Sequence, residues 1–211
     1  MFKRWLAKPP GTFNYHFDDG LRVQVSPIRP EHAPRFEAGY QQLSEASRRM
    51  RFFGQLSGLS SKQLEFLTRP DGRLHIAYGA LNLAQPEEPG VGVARCIRLD
   101  GDSRIAEIGI TILDQYQGRG VGQLLHACLH RAGHMAGLKQ FIYDVSADNE
   151  RFIRHLQALG ARQVSRDRDV VRLMLPVLGR GNALSNHTAA AGRLRRLLDA
   201  VAAAKPAPAL S

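Results

Sequence analysis

The sequence predicts an α+β, or mixed α/β, domain on one mostly antiparallel sheet of about seven strands, with a single parallel crossover. Three observations carry that expectation. Three β-rich runs follow one another between residues 73 and 113, separated by short turns. The stretch QYQGRGVGQLL (115–125) sets glycine at alternate positions and runs straight into an apolar helix. Beyond that helix the chain alternates strand, helix, strand and strand before an Ala/Leu/Arg-rich end.

In chain order, residues 1–20 read as an irregular N-terminal extension, with aromatics among Pro9, Pro10 and the Asp18-Asp19-Gly20 turn. LRVQVSPI (21–28) alternates as a first strand. Pro30 stands where helices start, and residues 31–44 read as helical with Pro34 early in the segment. SEASRRMRFFGQL (44–56) is a second helix with Phe52 and Phe53 as core. SSKQLEFLTRP (60–70) is a third, opened by serines suited to capping. RLHIAYGALNL (73–83), VGVARCIRL (91–99) and RIAEIGITIL (104–113) are strands joined by Pro-Glu-Glu-Pro-Gly and Asp-Gly-Asp-Ser turns, which implies an antiparallel meander. After the glycine loop come a helix (120–136), a strand (140–147), a helix (149–159) and strands ARQVSRD and VVRLMLPV. The domain is drawn as 21–178, and 179–211 as a linker, a basic amphipathic helix and a frayed KPAPALS end.

Hydrophobic residues make up 44% of the 211 and charged residues 23%, as in soluble globular proteins. No run reaches membrane-spanning length. The basic N-terminus lacks an apolar core and a cleavage pattern, so no secretory signal is expected. Cys96 and Cys128 make no disulfide framework, and a reducing cytoplasm is the expected location. A net charge of +10 favours an acidic partner: a nucleotide-bearing cofactor, an acidic protein face or nucleic acid. A solvated basic surface is the plainer alternative.

The glycine loop fails two phosphate-binding patterns. It lacks the Gly-Lys-Ser/Thr ending of a Walker loop, and Gln123 stands where a dinucleotide fingerprint needs its third glycine. What remains is Gln117-x-x-Gly120-x-Gly122 between a strand and a helix. Gly118, Gly120 and Gly122 let the backbone approach a ligand and turn freely. Their N–H groups join those of the first helical turn, where the helix dipole is positive. Arg119 adds a charge that meets a phosphate or stays in solvent. The rival is a glycine-rich turn with no ligand.

This spacing, with ITIL before it and QLLHACLHRAGHMAG after it, resembles motif A of the GNAT (Gcn5-related N-acetyltransferase) superfamily. DVSADNERFIRHLQALGA resembles the family's next segment, in which an asparagine precedes a helix ending in Leu-Gly-Phe; Asn149 and Leu159-Gly160-Ala161 stand there. LSEASRRMRFFG, IAYGAL, VGVARCIRL and AEIGITILDQYQGRGVG look like bacterial Pat-type protein lysine acetyltransferases. The likeness covers roughly residues 21–177 and implies the GNAT acyl-CoA N-acyltransferase fold, with acetyl-CoA as co-substrate.

By that resemblance, Gln117, Gly118, Arg119, Gly120, Val121 and Gly122 cradle the coenzyme pyrophosphate. The backbone of Ile110, Ile112 and Leu113 pairs with pantetheine amides, much as a peptide adds to a sheet edge. The side chains of Ile110 and Ile112 serve the core on the plainer reading. Asn149 either hydrogen-bonds the cofactor or caps its helix. Glu107 is the candidate general base, matching the Pat-type glutamate, with burial expected to raise its pKa. The alternative makes it a cross-strand partner of Arg95 or Arg98. The oxyanion would lie near a strand N–H such as that of Leu113. Many members supply a tyrosine as acid, but Leu156 occupies that position. Ser146 and Tyr116 are substitute hydroxyls; water, or no acid, stays equally open.

His126, His130 and His134 share one helix face, which the stripe Leu125, Cys128, Leu129 and Ala132 turns toward solvent. No carboxylate or cysteine joins them at ligand spacing, so no metal is expected. Cys96 and Cys128 read as core. Arg48, Arg49 and Arg51 read as a solvated face. The helix GRLRRLLDAV docks on the domain, meets an acidic partner or touches an anionic surface. The resulting reading is an acetyl-CoA-dependent N-acetyltransferase acting on a primary amine, with a protein lysine as leading acceptor and a small amine as its competitor. A non-catalytic acyl-CoA-binding module is the rival class. Nucleic-acid binding, a third reading, rests only on charge and the basic tail, and nucleic acid is not the expected partner.

Overall fold

The computed structural model describes residues 9–52, 58–99, 104–179 and 188–210, without the side chains of 51 and 52. Eight strands form one sheet among these residues: β1 (Phe13–His16), β2 (Arg22–Pro27), β3 (His75–Asn82), β4 (Gly92–Arg98), β5 (Ile105–Ile112), β6 (Gln140–Ser146), β7 (Arg162–Arg166) and β8 (Val170–Pro176). Their order is β1-β2-β3-β4-β5-β6-β8-β7. Every neighbouring pair is antiparallel except β5 and β6. The meander is β3-β4-β5, as its two turns require.

Strand alternation sorts residues between two covered faces. One face carries Val93, Arg95 and Thr111 and meets α1 (Ala33–Gln42) and α3 (Ser61–Thr68). Buried Arg95 holds those helices in place: its Nη1 donates to the Leu67 carbonyl at 3.2 Å, and its guanidinium lies 5.6 Å from the Phe36 ring. Ser60 and Gln63 close α3 with a capping box. The short α2 (Glu45–Phe52) leans on β5 and β6. Phe53 and the side chains of Arg51 and Phe52 lie outside the described residues.

The other face carries Ala94, Cys96, Ile108 and Phe141 and packs under α4 (Val121–Met135). The two cysteines are buried in this layer. The outer side of α4 is covered in turn by α6 (Ala189–Ala203), which buries Ala191, Leu194, Leu197, Leu198 and Val201. Beside α6, α5 (Glu150–Ala158) lies over β8.

Three sequence expectations change. The extension is not wholly irregular: β1 is an eighth strand, and Phe13 enters the core. The end of the chain is not frayed: α6 docks on the domain, one of the readings left open for it, and shares the main core. Its end is tied down: Ala207 N–H donates to the Thr12 carbonyl at 2.8 Å, and buried Gln24 bonds both Pro208 O and Leu210 N–H. The linker at 180–187 lies outside the described residues.

The third change concerns the histidines. His126 and His130 are buried, not solvent-facing, while His134 is exposed. The reason is tertiary: α4 is enclosed between the sheet and α6, so no broad polar face survives. His126 Nε2 and the Tyr143 hydroxyl share a 2.5 Å hydrogen bond, and His130 Nδ1 accepts from Leu178 N–H at 3.1 Å.

Buried neutral histidines make this fold acid-sensitive. Burial holds His130 down to about 3 and His126 well below the ordinary 6.5; burial and then the Arg95 charge hold His75 down to about 4. Each imidazole gains its proton near 6.5 when unfolded, so its contribution is complete above that pH. It declines by up to about 1.4 kcal/mol per unit per histidine as pH falls toward those depressed values. Denaturant melts at pH 7, 6 and 5 should show falling stability, with a shallower decline in His130→Gln. Constant stability across that range would contradict this.

Candidate active site

The parallel pair β5–β6 is short. Only Ile105, Ala106 and Glu107 pair with Gln140, Phe141 and Ile142. Beyond that point β6 continues along β8 through Ser146, while β5 continues along β4 through Ile112. The two strands part, and a cleft of about 390 Å³ opens between them. The Ile105 carbonyl accepts from Leu99 and the Leu113 N–H donates to Val91, which places odd-numbered residues in the β4 ladder. By the alternation of an antiparallel ladder, the Ile108 carbonyl and the N–H and C=O groups of Ile110 and Ile112 aim into the cleft, while the Ile108 N–H closes the last rung of the ladder with β6. There they form a sheet edge able to hydrogen-bond an extended amide chain.

At the open end lies the glycine loop. Gly118 and Gly120 take φ of 78° and 92°, left-handed values that side chains disfavour. Gly120 is the N-cap of α4, with no side-chain cap. The N–H groups of Gly118, Arg119, Gly120, Val121 and Gly122 donate to nothing among the described residues. A Cβ on Gly122 would stand in ordinary contact with the Ile112 and Ile110 side chains, at 3.5 and 3.8 Å, where the first turn of α4 passes over the strand. Bare amides at a helix N-terminus fit a diphosphate in both charge and shape.

Neighbouring groups fix this loop. Arg119 Nε donates to Asp19 Oδ2 at 2.6 Å, from the β1–β2 turn, and that bond holds the Asp19 carboxyl below its usual range. Phe17 from the same turn lies against Gly120, 3.2 Å from where a Cβ would stand. Gln117 Nε2 reaches the Ile112 carbonyl and Ser47 Oγ, each at 3.2 Å. Asp114 accepts from Ser44 N–H, Ser44 Oγ and Ser47 Oγ, tying the start of α2 to the loop.

The other sequence candidates divide. Asn149 lines the cleft and caps α5, its side chain accepting from Phe152 N–H at 3.2 Å. Glu107 stands where the strands part, on the face away from α4, but it is exposed, so the burial expected of it is absent. Its proposed partners are turned elsewhere, Arg95 to Leu67 and His75 and Arg98 to the Ala136 carbonyl. Leu113 is corrected as an oxyanion donor, since Val91 takes its N–H at 3.1 Å. Ser146 is not among the residues lining the cleft. The Tyr116 ring reaches the cleft, but its hydroxyl accepts from Asn82 Nδ2 at 3.2 Å. Leu156 is core.

Sequence reading missed Tyr143 and His126 in the cleft wall, and Arg151, His155 and Arg193 among its lining residues. Tyr143 carried one signal, its apolar-face position in the alternating run QFIYDVS. Arg193 carried none, because nothing local ties residue 193 to a site built around residue 120.

Known proteins resemble this chain in sequence and in fold. Residues 22–162 match the family model described as an acetyltransferase (GNAT) domain. Acetyltransferase PA5475 of Pseudomonas aeruginosa is 31% identical over 139 residues, 66% of this chain and 74% of that protein. Acetyltransferase Pat of Mycolicibacterium smegmatis is 32% identical over 112 residues, 51% of this chain but only 32% of that longer protein. In fold, the chain is similar to the GNAT domain of S. lividans PAT, with a TM-score of 0.71, 24% identity and coverage of 83% and 99% of the two chains. It is also similar to the spermidine N-acetyltransferase of Vibrio cholerae, solved with CoA and spermine, with a TM-score of 0.58, 14% identity and coverage of 74% and 95%. Sheet, cleft and sequence together make this chain a member of the GNAT N-acetyltransferase family.

Proposed function

We propose that the chain moves an acetyl group from acetyl-CoA to a protein lysine side chain, by direct attack in a ternary complex. One observation carries the reading: a bare-amide cradle stands beside a sheet edge opened by strand splaying. Acetyl-CoA supplies the activated thioester carbonyl. The amides of Gly118 to Gly122 hold its diphosphate, the Ile110 and Ile112 backbone takes its amide arm, and Asn149 offers its free NH₂. Among the described residues no three His, Cys, Asp or Glu side chains converge, and the reading calls on no metal.

An attacking amine must lose a proton, and Glu107 accepts it directly or through one water. Position rather than burial fits it for this. It stands where the strands part, and its charge is felt by Arg172, which pairs with Asp144 across β6 and β8. The lysine acceptor follows the likeness to Pat-type enzymes. A net charge of +10 works against a polycationic acceptor such as a polyamine and suits a lysine set in an acidic surface. Cytoplasmic residence belongs to the same reading; among the described residues no helix is long and apolar enough to cross a membrane.

Tyr143 belongs to the cleft wall rather than to proton transfer. Burial raises its phenol well above the ordinary 10, so it parts poorly with its proton. The departing thiolate is stable enough to leave without it.

Thiol release from acetyl-CoA with protein and small-amine acceptors tests the function. Turnover on protein lysines and a loss of about 10²–10⁴-fold in kcat for Glu107→Gln, with acetyl-CoA affinity kept, are expected. Binding without turnover would make the chain a sensing module, and small-amine turnover alone would remove the lysine acceptor. For Tyr143→Phe the expected result is about 1–2 kcal/mol of lost stability with kcat changed only a few-fold. A loss of 10²-fold or more would make the phenol an acid after all.

A further inference from the structure

We infer that α6 is part of the coenzyme site, with Arg193 and Arg151 taking the 3′-phosphate of coenzyme A at the outer rim of the cleft. This rests on the acyl-CoA reading above and adds a residue from outside the matched family region, which ends at 162.

The cleft runs from Ile108, near its floor, to Arg151, His155 and Arg193. Arg151 comes from the first turn of α5, and its Nη2 lies 3.6 Å from the Cβ position of Gly118, beside the cradle. Arg193 comes from α6, whose start is pinned to the end of α5. Thr188 Oγ1 donates to the Ala158 carbonyl at 2.7 Å and accepts from Ala191 N–H, capping the helix. Leu194, directly after Arg193, is buried and fixes the rotation of α6. His155 feels both guanidiniums, Arg193 more strongly than Arg151, and so lies near both.

These two cations differ from the other arginines around them. Arg154 pairs with Glu150, Arg172 with Asp144 and Arg119 with Asp19. Among the described residues Arg151 and Arg193 have no carboxylate partner. Two like charges held near one imidazole repel, and an anion at the rim removes that penalty. The diphosphate already has the loop amides and the α4 N-terminus. Coenzyme A carries one further phosphate, on the ribose at the same end of the molecule, and a phosphate monoester suits paired guanidiniums.

Calorimetry on the full chain with coenzyme A and 3′-dephospho-coenzyme A separates the possibilities. The wild type should bind coenzyme A about ten-fold or more tightly than the dephospho form. Arg193→Gln should weaken coenzyme A alone and bring that ratio to within about three-fold, with Arg151→Gln acting in the same direction. Arg193→Glu should go further, and all three should melt like the wild type because both side chains are exposed. An unchanged ratio in Arg193→Gln overturns the inference. So does equal weakening of both ligands, which would assign Arg193 to the diphosphate. If the wild type binds neither ligand, the acyl-CoA reading itself falls, a different outcome from either of these.

Discussion

The site depends on a sheet that stops being continuous. Glu107 and Ile142 are the last paired residues of the parallel strands β5 and β6. An unbroken parallel ladder would satisfy the inward carbonyl of Ile108 and the inward groups of Ile110 and Ile112, and no ligand could reach them. Because β6 follows β8 instead, the Ile110 groups and the Ile112 N–H stay open, and polar backbone in a cleft walled by Val145, Phe152 and Tyr143 demands a partner. Gly118, Gly120 and Gly122 extend the same device past the strand end: amides with no side chain in front of them, at the positive end of a helix.

Much of the remaining structure holds that arrangement still. Helix α4 must keep its first turn over Ile110 and Ile112, and it is clamped from below by the sheet and from above by α6. Both ends of the described chain contribute. The β1–β2 turn brings Phe17 and Asp19 to the loop, and the last residues bond Thr12 and Gln24 beside that hairpin. The hairpin and the terminal segment therefore brace the loop from one side while Ser44, Ser47 and Asp114 brace it from the other. On the function proposed above, Glu107, at the parting of the strands and on the opposite face, serves the acceptor while the loop serves the coenzyme.

What the sequence disclosed was what local chemistry dictates. Glycine at alternate positions between a strand and a helix has few conformational reasons to exist, so the loop was legible from residues 115–125 alone. The meander turns and the caps at Ser60 and Asn149 were equally local. The errors come from packing and pairing that no single stretch of sequence displays. His126 and His130 looked solvent-facing because the helix that covers α4 lies some sixty residues further on. β1 is four residues long and alternates unremarkably, and only its pairing with β2 makes it a strand. Glu107 sits in an apolar run, but its own face there is open. Leu113 looked like a free donor until Val91, at the near end of β4, took its N–H.

The central claim is that bare main-chain amides at the strand-to-helix corner grip the diphosphate. An amide-resolved ¹⁵N NMR titration with acetyl-CoA addresses it most directly. The predicted result is large, saturable shifts at Gly118, Arg119, Gly120, Val121 and Gly122, with Ile110 and Ile112 following as the amide arm settles on β5. Binding that leaves those amides unmoved while another part of the chain responds would contradict the account.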